Sequence, residues 1–305
     1  MTSATTRLTL RGYGLDEYIE AVAAHPFLPL IAIGTSSGSI FMWDTESGLL
    51  LRTFAGHTKC IQNLAFDPSG RRLASGSDDH TIRLWDIESS ICLCTLAEHR
   101  REVVAVAWNT TGSLVASGSW DETIRLWDTD SGALQRTLKG DIGFTNALVA
   151  HPTDDLLASG SDDTTVRVWR WSSGVLARTL AGHEGAVASL AASAEWIVSA
   201  SWDKTVRVWS WASNACVCVL GVFATTRLNL NSLAWRDSTF VALDWSDSGT
   251  VRVWDTSAAE PRKWSFLEPN ELVSSPVSHG VAVCDDGSVA VPEPYDNQAM
   301  VLWRV

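Results

Sequence analysis

Histidine, serine and aspartate recur together along this chain, and those side chains are the ones that activate a hydroxyl nucleophile. His57, Ser77 and Asp79 form one set, His99, Ser119 and Asp121 a second, and His183, Ser201 and Asp203 a third. An imidazole that accepts a proton from a hydroxyl while a carboxylate orients it is the constellation of acyl-transfer enzymes. Each set, however, is followed at the same remove by a tryptophan: Trp85, Trp127 and Trp209. A catalytic centre is needed once, so a constellation repeated with its neighbours intact reads as structure. No H-E-x-x-H or glycine-rich phosphate loop accompanies the sets. No catalytic residue is therefore expected. The cysteines add little chemistry: Cys92 with Cys94, and Cys216 with Cys218, are C-x-C pairs in alternating segments, which place both thiols on one strand face. With no histidine beside either pair, four convergent zinc ligands are lacking. Buried reduced thiols, no metal and no cofactor are expected.

The elements that must position these residues follow from the tryptophans. Trp43, Trp85, Trp127, Trp169, Trp209, Trp254 and Trp303 recur at intervals of 40 to 49 residues, the first three of them 42. Such a period suits a four-stranded unit and is too long for a single hairpin. Most of them end a short alternating run, as in Thr81-Ile-Arg-Leu-Trp85 and Thr165-Val-Arg-Val-Trp169. The unit around Trp85 is predicted as strands over Cys60 to Phe66, Arg72 to Ser77, Thr81 to Trp85 and Ile91 to Leu96, with an Asp-Pro-Ser-Gly turn at 67–70 and a corner at Asp78-Asp79. One such sheet cannot bury both its faces alone, so each must pack between a preceding and a following sheet.

The elements Gly56-His57…Asp79…Trp85-Asp86, Glu98-His99…Asp121…Trp127-Asp128 and Gly182-His183…Asp203…Trp209 stand at the spacing of WD40 repeats, and the chain resembles that family over essentially its whole length. Departures are local: Ser37 replaces the corner aspartate of the first unit, Gly140-Asp141 stands where Gly-His would fall, and Trp169-Arg170 and Trp209-Ser210 lack the acid after tryptophan. The resemblance implies an all-β, closed seven-bladed propeller of four-stranded antiparallel blades, with residues 1–305 forming one unit. It implies too that the imidazole of each set bridges its aspartate and serine while the indole N–H anchors the far end, giving buried polar groups their partners. It also implies that the last blade is completed by the N-terminal strand, residues 6–10, which latches the ring. The inner strands of that blade are expected at Glu271 to Pro276, Gly280 to Cys284 and Ala299 to Arg304. Residues 291–298, which carry two prolines, are expected to protrude as a loop.

Function is read from charge and from the corners. Formal net charge is −12, which disfavours nucleic acid and anionic membrane and permits a basic protein segment. No apolar run reaches the ~18 residues of a spanning helix, and the first residues lack an apolar signal core, so membrane insertion is not expected and a cytoplasmic or nuclear location is. In the family that the chain resembles, the residue before the corner aspartate points to the top face near the central channel. Here those residues are Asp78, Trp120, Asp162 and Trp202, with Trp245 near the corresponding corner of the sixth unit. Lys59, Arg101 and Glu184 are expected to rim that face. Indoles that stack on a guanidinium, flanked by carboxylates, suit an Arg- or Lys-bearing peptide. The expected function is thus a non-catalytic scaffold or peptide-recognition subunit of a hetero-complex. The alternatives are a propeller hydrolase or lyase, or a propeller that binds a small ligand or glycan. Trp120 and Trp202 packing against neighbouring corners is the plain alternative for those two indoles, and Trp171 and Trp211 are expected to thicken the packing of the sheets or to form a lateral contact surface.

Overall fold

Strands alone build the described parts of this protein. The computed structural model describes residues 7–11, 17–140, 143–222, 233–237, 239–244, 250–256, 261, 265–267, 282–284, 289–293 and 296–303, and no α-helix occurs among them. The second sheet is typical: Ile61–Phe66, Arg72–Ser77, Ile82–Asp86 and Cys92–Leu96 pair antiparallel in chain order. The same four-stranded meander recurs as the first sheet (19–54), the third (103–138), the fourth (145–180), the fifth (187–222) and the sixth (233–267).

Burial falls from the inner to the outer strands. Val103–Trp108 is buried on both faces, which requires its continuous apolar run Val-Val-Ala-Val-Ala-Trp. The outer strand Leu50–Phe54 is largely exposed. The core lies between sheets: Ala74, Ile82 and Leu84 of the second pack against Val103, Val106 and Trp127 of the third. Adjacent sheets approach so closely that the second strands carry glycine. A Cβ on Gly118 would meet Thr145 Cγ2 at 2.7 Å, and one on Gly160 would meet Val187 Cγ1 at 2.6 Å. The glycine in each Ser-Gly-Ser run is thus a packing requirement.

Arg7–Arg11 pairs along Asp296–Trp303, from Arg7 opposite Trp303 to Arg11 opposite Ala299. The remaining strands of that sheet are Val289–Glu293 and Ala282–Val283. Two expectations are corrected here. Ala282–Val283 is the innermost described strand and not the second. Residues 291–293 and 296–298, expected to protrude, belong to strands instead. Pro292 sits opposite Met300, and within the described residues it has a ladder partner on that side alone, so its missing N–H is tolerated. Glu271 to Pro276 lies outside the described residues. Ala282–Val283 touches both Ile19–Ala24 and Leu233–Arg236, and Arg236 donates to the carbonyls of His25, Pro26 and Val283 at 3.2, 2.7 and 3.4 Å.

The recurrent polar sets fix the corners. His57 Nδ1 lies 2.8 Å from Asp79 Oδ2, His57 Nε2 lies 2.7 Å from Ser75 Oγ, and Trp85 Nε1 donates to that same oxygen at 2.8 Å. His99, Asp121, Ser117 and Trp127 repeat the arrangement, as do His183, Asp203, Ser199 and Trp209. The serine is therefore not Ser77, Ser119 or Ser201, as expected, but the one two residues earlier in each strand. Both serines lie on the same strand face, and the earlier one is nearer the tryptophan on the neighbouring strand. The later serines instead brace the corner backbone. Ser77 Oγ donates to the Lys59 carbonyl at 3.2 Å and accepts the Asp79 N–H at 3.1 Å, with Ser119 and Ser201 doing likewise at Arg101 and Gly185. In the fourth sheet Trp169 donates to Ser159, while the corner aspartate, Asp163, is held by Arg167 at 2.6 Å.

Burial alone would raise Asp79 and Asp121, but the imidazole, the Thr81 or Thr123 hydroxyl and a loop N–H hold both well below the usual carboxylate range. Asp203 is held to about 2 against the same burial by Thr205, the Glu184 N–H and His183. Burial pushes His99 and His183 down despite their carboxylate neighbours. The consistent state is an ionised aspartate with a neutral imidazole that donates through Nδ1 and accepts the serine hydroxyl at Nε2.

Ser75→Ala should cost about 2–3 kcal/mol, because it strands both an imidazole nitrogen and an indole N–H, whereas Ser77→Ala should cost less; chemical denaturation of both variants measures the difference. Stability should be greatest above about pH 6.5, the ordinary value for histidine. It should fall as the pH drops, because the unfolded chain takes protons at histidine, and below about pH 4 at aspartate, that the folded corners resist. Melting curves across that range test the sign. Deleting residues 1–11 exposes the whole edge of Asp296–Trp303 and should lower stability by more than about 3 kcal/mol, the scale of a severe lesion, as read by thermal melting.

Candidate functional site

One backbone hydrogen bond, repeated from sheet to sheet, sets the geometry of the corner face. The N–H before each corner donates to the carbonyl of the residue preceding the innermost strand: Asp78 to Cys60 at 3.0 Å, Trp120 to Glu102 at 3.1 Å, Asp162 to Phe144 at 3.0 Å and Trp202 to Ala186 at 2.9 Å. Side chains from these two positions therefore alternate around the face. A residue in the left-handed region follows every one of these corner aspartates, at His80, Glu122, Thr164 and Lys204. The aspartate holds that turn through the N–H and hydroxyl of the next threonine, as Asp79 Oδ1 does with Thr81 at 3.0 and 2.6 Å.

The two acids sit low. Asp78 Oδ2 accepts from Gln62 Nε2 at 3.2 Å, while its Oδ1 is enclosed without a hydrogen-bond partner among the described residues. Burial pushes Asp78 above its ordinary value; Gln62 and Lys59 oppose that push, and the nearby charges of Glu102 and Glu20 add to it. Asp162 Oδ1 accepts from Asn146 Nδ2 at 2.6 Å. The two indoles differ. Trp202 is 48% exposed. Trp120 is half-buried, its ring centroid 5.9 Å from that of Phe144, and its Nε1 is enclosed without a partner among the described residues. Arg101 places its guanidinium 4.8 Å from the same phenylalanine ring and 3.6 Å from Glu102. Lys59 and Glu184 are exposed, and the Glu184 N–H serves Asp203. Trp245 lies outside the described residues.

Sequence reasoning missed Phe144, Glu102, Gln62 and Glu20. The first two occupy the position directly before an innermost strand, and the other two the second position within one, so the same register that found Asp78 and Trp120 would have found them. Trp171 and Trp211 do not continue their strands but open the following turns. Both are buried, and they donate to the carbonyls of Leu156 and Ser193 at 3.0 and 2.9 Å. They are packing residues. The paired cysteines Cys92, Cys94, Cys216 and Cys218 are half-buried and not fully buried as expected, because the outer strands are covered on one face only.

The serine, histidine and aspartate of each corner have the distances of a hydrolytic triad but not its access. Ser75, Ser117 and Ser199 are wholly buried, and an indole N–H occupies each hydroxyl oxygen that would have to attack. Among the described residues, no group of three or more His, Cys, Asp or Glu side chains is arranged to hold a metal ion. No helix among them is long and apolar enough to cross a membrane.

Comparison with known proteins agrees with this geometry. The WD40 family (WD domain, G-beta repeat) matches residues 48–86, 90–128, 132–170 and 174–210, together just over half of the chain. The Lissencephaly-1 homolog of Monosiga brevicollis is 42% identical over 55 residues, which are 18% of this chain and 13% of that protein. The nuclear distribution protein PAC1 of Tuber melanosporum (strain Mel28) is 44% identical over 48 residues, 16% and 11% of the two lengths. The matches thus span only about an eighth of those relatives. The solved structure of U3-55K superposes with a TM-score of 0.83 over 98% of both chains at 20% identity, a likeness of fold. Four matched repeats, four-stranded antiparallel sheets and the recurrent corner sets agree, and the chain belongs to the WD40 repeat family of β-propeller proteins.

Proposed function

We propose that this chain is a closed seven-bladed propeller, one unit over residues 1–305, that serves as a non-catalytic scaffold or peptide-recognition subunit of a multiprotein complex. Its corner face engages an Arg- or Lys-bearing segment of a protein partner. Closure is supported by the pairing of Arg7–Arg11 with Asp296–Trp303 and by Arg236, which ties the sixth sheet to the first and to the last. A cytoplasmic or nuclear site of action fits this reading.

One observation carries the choice of ligand: a half-buried carboxylate at Asp78 with one oxygen unpaired, beside the charges of Glu20 and Glu102, on the face that exposes Trp202. Crowded carboxylates raise one another's proton affinity, and an incoming guanidinium or ammonium relieves that repulsion while filling the open acceptor. An exposed indole covers the alkyl stem or stacks on the cation. Asp162 adds a second acid, and Trp120 with Phe144 and Arg101 forms a stiffer wall between the two. Lys59, Arg101 and Glu184 at the rim tune encounter more than affinity.

The test is binding of labelled arginine- and lysine-bearing peptides to wild type, Trp202→Ala and Asp78→Asn. Trp202 is exposed and asparagine keeps the Gln62 contact, so both variants should fold. Each should weaken binding at least tenfold, about 1.4 kcal/mol, and affinity should fall with added salt. Equal binding by all three proteins would remove the corner face from the function.

A further inference from the structure

A second site of opposite preference lies between the fourth and fifth sheets, away from the corner face. At the end of the third strand, the first three sheets place an aspartate that closes the next turn. Asp44 accepts from the Ser47 N–H and hydroxyl at 2.7 and 2.9 Å, Asp86 from Ser89 at 2.8 and 2.6 Å, and Asp128 from Ser131 at 2.8 and 2.7 Å. In the fourth sheet this residue is Arg170. The turn keeps a carboxylate, but Asp155 of a neighbouring turn supplies it and holds the residue one position earlier, accepting from the Ser172 N–H at 3.0 Å and from its hydroxyl. The position after the tryptophan is thereby released from turn closure and given to a cation.

The outer strand repeats the pattern. Arg52, Arg136 and Arg178 occupy the same place in Leu50-Leu-Arg52, Leu134-Gln-Arg136 and Leu176-Ala-Arg178. Arg52 reaches the Glu88 carbonyl and Arg136 the Ser172 carbonyl, each on the turn of the next sheet, at 3.4 and 3.0 Å. Arg178 makes no such bond, and neither its guanidinium nor that of Arg170 has a hydrogen bond or ion pair among the described residues. Val168 pairs with Arg178 across the ladder and stands two residues from Arg170, so both arginines leave the same face of the sheet. They line one cleft of about 730 Å³, a size that suits a few residues of a peptide. Its opposite wall is stiff: Trp211 is bonded to the Ser193 carbonyl and packed edge-on against His151 at 4.9 Å. Trp196 adds an aromatic surface.

We propose that this cleft binds a segment of a protein partner whose acidic side chain enters between Arg170 and Arg178. Two uncommitted guanidinia on one wall offer fork geometry to a carboxylate. Asp154, Asp155 and Glu195, exposed and lining the same cleft, oppose a polyanion and favour a basic residue next to the acidic one. A nucleic-acid backbone fails on that ground, whereas a mixed acidic and basic segment meets both sets of charges.

The test is fluorescence anisotropy of a labelled peptide with a Glu-Glu-Lys-Lys core, against wild type, Arg170→Asp, Arg178→Gln and the double variant. Arg170→Asp installs the residue that four other sheets carry after the repeat tryptophan, so folding is preserved, and circular dichroism checks it. Saturable binding to wild type is expected, at least tenfold weaker in each single variant, lost in the double variant and lost when glutamine replaces glutamate in the peptide. Trp202→Ala should leave it unchanged, which separates this site from the corner face. Absence of saturable binding, equal affinity in the double variant, or tighter binding of a phosphoserine or polyglutamate peptide would each overturn the assignment.

Discussion

An ionised aspartate held beneath the surface at a chain corner is the commitment on which the rest of this protein depends. Asp79, Asp121 and Asp203 would be raised by burial, yet all are held low because imidazole, threonine hydroxyl and loop N–H converge on them. Unpaired, each would cost several kcal/mol. Paired, each fixes four things together: the loop entering the innermost strand, the turn after the second strand, the following threonine, and through histidine and serine the tryptophan that packs between sheets. A corner defined from so many directions has few other conformations, which is why it can hold a left-handed residue such as Glu122 or Lys204. The fourth sheet shows that the requirement is the compensated charge and not histidine itself, since Arg167 holds Asp163 there.

Much of this order is legible in the chain. The tryptophan interval locates the sheets, and the second sheet's strands fall within about a residue of their expected bounds, because strict alternation over short runs leaves one face to bury. The serine of each set is misread for a reason internal to that same signal. In Ser75-Gly-Ser77 both hydroxyls leave the same strand face, and periodicity cannot say which one meets the indole. The 291–298 segment is misread because proline weighs heavily against a strand until the sheet partners are known. Phe144 is missed in a different way, since its register is readable but its contacts are not. It lies one residue before an innermost strand, at a boundary, and its meaning comes only from Trp120 and Arg101, which no local pattern connects to it.

Repetition also explains where recognition chemistry can reside. A side chain that closes a turn or joins two sheets is spent on the frame, and the repeats show which positions those are. The position after the repeat tryptophan closes a turn in three sheets and does not in the fourth; the outer-strand arginine joins sheets in two and does not at Arg178. Such local breaks, compensated by Asp155 rather than left as defects, are where the frame no longer explains the residue present. The pre-corner position is a break of another kind, since its backbone is bonded in the same way from the second sheet to the fifth while its side chain alternates between acid and indole.

The two sites differ in how charge is arranged, the corners crowding acids and the cleft setting two arginines among three acids, which follows from how the frame disposes of charge and not from composition. With a net charge of −12, the protein as a whole attracts cations, and crowding of Glu20, Asp78 and Glu102 concentrates that attraction at the corners. An anion approaching Arg170 and Arg178 works against the overall field, so the cleft must rely on contact geometry: two guanidinia already desolvated on one side by the sheet, and a fixed aromatic wall. The proposed binding at the corners would therefore weaken with salt. The proposed binding in the cleft would depend on fit, and on a ligand whose own positive charge offsets the repulsion it meets at Asp154, Asp155 and Glu195.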